Sequence, residues 1–227
     1  MPSEMQPLAK ALSLRRAKGD ALYKGVAGRT ALVAARTGIG TTRAAAATAR
    51  LLDAANVEHV MVVGIAGGMG PSVVGDVLFP EIVVDKSTGA EFHATPLGGV
   101  QPRGKLVTHD DFDIGPDEQR ALVADGFVAV DMETAAIAAV CEQRACAWSA
   151  VRAISDLVGV TPGDVITLAN PDGSPNVGAS LRYLVTKPWR IPKLVRLGWD
   201  ARTAATSAAR AAARALDDDV GEASTRC

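Results

Sequence analysis

Short runs of valine and isoleucine, each closed by glycine or proline, alternate along this chain with alanine-rich stretches. ALVAAR (Ala31–Arg36) and HVMVVGIAG (His59–Gly67) have the length and apolar content of buried strands. Between them TRAAAATARLLDAA (Thr42–Ala55) combines strong helix formers with threonines suited to capping. Strand, helix, strand is the order of a right-handed crossover, which predicts a parallel sheet covered by helices and hence an α/β class. DVLFPEIVVD (Asp76–Asp85) and GKLVTHDDF (Gly104–Phe112) continue the sheet. FVAVDMETAAIAAVCEQRA then switches at Asp131 from strand to helix, and WSAVRAISD (Trp148–Asp156) returns to a strand. Ligands of open α/β sheets bind at the carboxyl ends of strands, where this reading puts Glu133 and Asp156.

Further on, Val158–Gly178 is rich in Gly, Pro, Asn and Asp and reads as a long loop that could cover a site. YLVTKPWRIPKLVRLG (Tyr183–Gly198) mixes Trp189 and aliphatics with four cations, the pattern of a surface helix or of a lipid-facing or partner-facing patch. An alanine-rich helix follows to near Leu216, so one domain over residues 1–216 and a disordered tail at 217–227 are expected.

The 227 residues are 48% hydrophobic, enough for one sizeable core. Balanced charges, 24 Lys+Arg against 25 Asp+Glu, offer no global basic field for a nucleic-acid backbone. Cys141, Cys146 and Cys227 are odd in number and lack CxxC spacing, which fits free thiols in a reducing compartment. The run Val60–Leu78 is broken by glycines and a proline and is no lipid-spanning helix, and the N-terminus lacks the apolar core of a signal peptide. A soluble, cytoplasmic protein is the expectation.

Among the motifs, GIAGGMG (Gly64–Gly70) permits close approach of a ligand to the backbone but does not match the dinucleotide pattern. GIGTTR (Gly38–Arg43) has Arg43 in place of the third glycine, and neither cluster closes in the GK[ST] of a phosphate loop. His59, His93 and His109 are scattered, so neither a metal nor another cofactor is expected. With no nucleophile elbow and no histidine beside a cysteine, carboxylates become the candidates, although Glu133 or Asp156 alone could equally be a helix cap. THDDFD (Thr108–Asp113) is either a polar loop or a platform that stacks Phe112 on a flat ligand.

Taken together, GIAGGMGPSVVGDVLFP, VDMETAAIAAVC and VRAISD stand in the order and spacing of the purine/uridine phosphorylase superfamily. They are most similar to its methylthioadenosine/S-adenosylhomocysteine nucleosidase branch. The resemblance covers Met1 to Asp156. It implies a single three-layer α/β domain with a mixed, mostly parallel central sheet, assembled as a homodimer or higher homo-oligomer. Its activity would be cleavage of the N-glycosidic bond of a purine, adenosine-derived nucleoside. By resemblance Asp156 is the general acid that protonates the base, with Ser155 beside it. Glu133 would hold the ribose hydroxyls and Met132 would pack on the sugar, while Phe112 stacks on the base. Ala66 and Gly67 would approach the substrate with their backbone.

MPSE resembles the hydrolytic branch's A-M-x-x-E, which makes Glu4 the residue that activates water and favours a nucleosidase. A phosphorylase is the alternative, with Arg36, Arg43 and the Gly38–Gly40 amides as conceivable phosphate donors. A catalytically idle ligand-binding relative is a third. Family members carry an apolar strand before that methionine. The resemblance therefore implies either a start assigned too far downstream or a truncated protein, with the first strand missing and Glu4 on a floppy terminus. KPWRIPKLVRLGWDARTAA is similar to the tail of the hopanoid-associated phosphorylase branch, which would add peripheral membrane contact. Futalosine-type nucleosides fit the same chemistry. An acid that protonates a purine must hold its proton near neutral pH, while the base opposite must stay ionised.

Overall fold

A computed structural model describes residues 2–16, 21–110, 114–159, 168, 170, 174 and 176–225. The chain opens with a helix, α1 (Pro2–Ala11), and a hairpin of β1 (Tyr23–Ala27) and β2 (Thr30–Ala34). After α2 (Thr41–Ala54) come β3 (His59–Gly68), β4 (Val77–Leu78), β5 (Ile82–Asp85), β6 (Glu91–His93) and β7 (Lys105–Thr108). Then follow α3 (Pro116–Ala124), β8 (Phe127–Asp131), α4 (Thr134–Gln143), β9 (Ala147–Leu157), α5 (Val177–Thr186) and α6 (Ile191–Thr225).

Seven strands form one sheet in the order β4-β9-β3-β8-β7-β5-β6. β3 with β9, β5 with β7 and β7 with β8 run parallel; three shorter pairings are antiparallel. The expected crossover from ALVAAR into HVMVV does not form. Among the described residues β2 pairs only with β1, in a separate antiparallel ribbon. Its outward positions Thr30 and Ala31 are exposed and it lacks the two-sided burial of a parallel strand, so local apolar content identified a strand but not its sheet. The predicted Asp76–Asp85 strand is likewise two, β4 and β5, separated at Phe79–Glu81 around Pro80, which has no amide proton for the ladder.

Alternation along β3 builds the layers. Val60, Val62 and Ala66 pack with Ala150 and Ile154 of β9 against Ala44 of α2 and Ala135, Ile137, Ala138 and Cys141 of α4. Met61, Val63 and Ile65 turn to the other face, where Val151 and Ala153 meet Leu8 of α1 and the small-residue stripe Ala204, Ala208 and Ala212 of α6. Alanines let α6 lie close to the sheet, and each buried methyl contributes about 0.8 kcal/mol. α6 continues to Thr225, carrying regular structure beyond Leu216, where the sequence predicts that the ordered domain ends.

Two irregularities shape the middle of the sheet. β3 meets β8 only at Gly67 and Gly68, so the rest of that edge has no neighbouring strand among the described residues. Between β3 and β9 the register steps from Ala66–Ile154 to Gly67–Asp156, leaving Ser155 as an extra residue. A bulge of this kind bends the strand and re-aims the side chain beside it, which here is Asp156.

Candidate active site

The open edge of β3 borders a cavity of about 760 Å³. Glu4, Ala66, Gly67, Met132, Glu133, Arg152, Ser155 and Asp156 all line it, so seven of the eight site residues predicted from sequence share one space. The eighth, Phe112, lies outside the described residues, as does most of the predicted loop Val158–Gly178. Of the conceivable phosphate donors, Arg36, Gly38 and Ile39 line the cavity, whereas Arg43 is exposed on α2.

Glu4 stands in the first turn of α1 rather than on a loose end, because Met5 and Leu8 anchor that helix against the protein. Its Oε1 accepts a hydrogen bond from the Ile65 amide at 3.0 Å. The absence of a side chain at Gly64 makes room for this crossing, since a β-carbon there would come within 2.7 Å of the same carboxylate oxygen and collide with the Arg152 guanidinium.

Glu133 occupies the N-cap position of α4, yet its side chain makes no capping hydrogen bond. Its Oε1 accepts instead from the Gly40 amide at 3.2 Å, a contact that spans 93 residues of sequence. Gly40 has φ of 92°, a conformation natural to glycine, so the GIG turn serves to present an amide to this carboxylate. Capping falls to Asp131, which accepts from the Thr134 amide at 3.2 Å and from its hydroxyl. Asp131 also accepts from Thr108 Oγ1 at 2.7 Å, and Thr108 in turn accepts from the Ala135 amide at 2.9 Å.

Arg152, 3% exposed, ties these groups together. Its guanidinium forms an ion pair with Asp131, lies 3.6 Å from Glu133 and donates to Thr134 Oγ1 at 2.8 and 3.1 Å. A charge so buried is tolerated only when paired and hydrogen-bonded, and all three partners are within reach. Burial raises the Glu133 pKa from its usual 4.5 to about 7, against the lowering effect of Arg152; the negative charges of Asp131 and Glu4 add to the rise. Ser155 Oγ donates to Asp156 Oδ1 at 2.6 Å and also reaches the Ala66 carbonyl at 3.3 Å, which holds the carboxyl beside the bulge.

Sequence reasoning overlooked Arg152, Asp131 and Thr134, and read the Gly40 amide only as a conceivable phosphate donor rather than as the partner of Glu133. The signals were present, Arg152 within RAISD and Asp131 and Thr134 within VDMET, but an arginine in a strand is equally compatible with solvent until its partners are located. Cys141, by contrast, is buried with its thiol pushed up to about 12 by desolvation, so it is inert as a nucleophile.

A single α/β domain whose strand ends carry a buried Arg–carboxylate network and a further acid defines a class. The family model described as "Phosphorylase superfamily" matches residues 1–99 and 88–174, and this chain belongs to that family. Within it, the 5'-methylthioadenosine/S-adenosylhomocysteine nucleosidase of Thermotoga maritima is 28% identical over 176 residues, 70% of this chain and 79% of the relative. The Bacillus subtilis protein of the same name is 32% identical over 162 residues, 57% of this chain and 70% of the relative. Among solved structures, the Neisseria meningitidis nucleosidase in complex with methylthio-immucillin-A superposes with a TM-score of 0.68 at 20% identity, covering 96% of this chain and 95% of that one. Futalosine hydrolase of Helicobacter pylori gives 0.67 at 18%, covering 98% and 94%.

Proposed function

We propose that this chain is a nucleosidase that hydrolyses the N-glycosidic bond of an adenine-type nucleoside. The observation that carries the reading is the convergence of Glu4, Glu133 and Asp156, from three distant stretches of sequence, on one cavity. Its nucleosidase relatives supply the substrate class.

A purine anion is a poor leaving group, so the bond breaks more easily when the base is protonated as it departs and the sugar becomes oxocarbenium-like. Asp156, oriented by Ser155, gives its proton to the ring nitrogen while the electron pair of the C1′–N bond passes to the base. Water, losing a proton to Glu4, forms the new C1′–O bond. Glu133 accepts the ribose hydroxyls, Met132 packs on the sugar, and the glycine backbone at Ala66–Gly67 admits the flat base. Products are free base and free sugar. The family resemblance further supports a homo-oligomer, checked by analytical ultracentrifugation, and the free thiols Cys141 and Cys146 support a reducing, cytoplasmic setting.

The test is release of free base from a panel of 5′-substituted adenosines, with and without phosphate. Phosphate-independent release of free sugar is expected; a strict phosphate requirement with ribose 1-phosphate as product would make the chain a phosphorylase. Asp156→Asn is expected to lower kcat by about 10² to 10⁴ with little change in affinity, and an unchanged kcat would remove Asp156 from the mechanism.

A further inference from the structure

The first turns of α6 present an apolar stripe that stays exposed among the described residues. Ile191, Val195 and Trp199 recur every four residues on one face, and Trp189 precedes them in the short turn Pro188–Arg190. Trp189 is 72% exposed and Trp199 70%, far beyond what a folded chain ordinarily leaves of its largest apolar side chains. The same segment holds Lys187, Arg190, Lys193, Arg196 and Arg202 against the single acid Asp200, a local charge of +4 in a chain whose total is −1. At about 100° per residue, Leu194, Leu197, Gly198 and Ala201 fall on the adjoining flank of the helix, and these line the cavity.

We propose that this segment is a docking surface for an anionic lipid bilayer, with the tryptophans and aliphatics seated among the headgroups and the cations on their phosphates. Trp and Lys/Arg bordering an apolar stripe are the composition of an interfacial helix. Charge argues against the other natural occupant, a second copy of the chain. A two-fold dimer centred on this patch would make it meet itself and set +4 against +4. No described helix is long and apolar enough to cross a membrane, so contact is peripheral. Docking in this way brings the cavity to within about one helix diameter, on the order of 10 Å, of the lipid surface.

The experiment is flotation of the full chain with phosphatidylcholine vesicles, with and without phosphatidylglycerol, at low and high salt. Binding is expected only with phosphatidylglycerol, weakening with salt, and about fivefold for each cation removed. Tryptophan fluorescence gives a second readout. Of the three tryptophans Trp148 is buried, so a blue shift and quenching by brominated acyl chains report Trp189 and Trp199. The double variants Lys193→Glu with Arg196→Glu, and Trp189→Ser with Trp199→Ser, alter exposed side chains and are expected to keep the parent melting temperature while losing flotation. Equal flotation of the parent and the charge-reversed variant would overturn the proposal. So would no binding to phosphatidylglycerol vesicles at low salt, or a self-association abolished by Trp199→Ser.

Discussion

Replacing Arg152 by Gln tests how the buried network works. The substitution keeps an amide that can reach Thr134 but leaves Asp131 and Glu133 facing each other with no cation between them. Breaking a buried pair from one side costs about 3–5 kcal/mol, because the surviving charge stays desolvated. Arg152 is the main influence holding Glu133 down, so its loss must lift that carboxyl further above about 7. The first unit of rise leaves about one-fifth as much carboxylate at neutral pH, and each further unit about one-tenth of what remains. An acid whose pKa is higher in the folded than in the unfolded state stabilises the fold at low pH and loses that contribution as pH rises through the folded value. The Arg152→Gln deficit in urea unfolding should therefore be largest above neutrality and shrink on acidification. The acidic limb of kcat/KM should move to higher pH, while Arg152→Lys should show an intermediate shift. A Gln variant whose limb stays in place, or whose stability changes by less than about 1 kcal/mol, would refute the idea that this cation governs Glu133.

Glu133→Gln should abolish the acidic limb of kcat/KM altogether. It should also remove the fall in stability expected between pH 4.5 and about 7 in the parent, worth about 3 kcal/mol at most, which pH-dependent urea titrations can measure. Gly64→Ala should lower both the melting temperature and kcat, because the new methyl collides with the Arg152 guanidinium held by Asp131 and Thr134 and with the Glu4 carboxylate; wild-type stability and turnover would show that their placement is immaterial.

β3 was legible in the sequence to within a residue, since a buried strand closed by glycines leaves the same mark wherever it pairs. β2 was equally legible as a strand but not as half of a detached hairpin, because a sheet partner is chosen by non-local contacts that a local pattern does not encode. The helical state of Glu4's segment was unread. Two prolines obscure it, and what holds it is Met5 and Leu8 packing on elements far along the chain. The bulge at Ser155 has no local signature either, being defined only by the strand beside it.

The sequence by itself determined which residue types stand at the ends of β8 and β9, because strand, turn and helix propensities act over a few neighbours. Only the tertiary structure decided what those residues became. Burial turned Glu133 from an ordinary carboxylate into one that titrates near neutrality, and packing brought the Gly40 and Ile65 amides to carboxylates 93 and 61 residues away. Desolvation and proximity are properties of the assembled interior, so no window of sequence contains them.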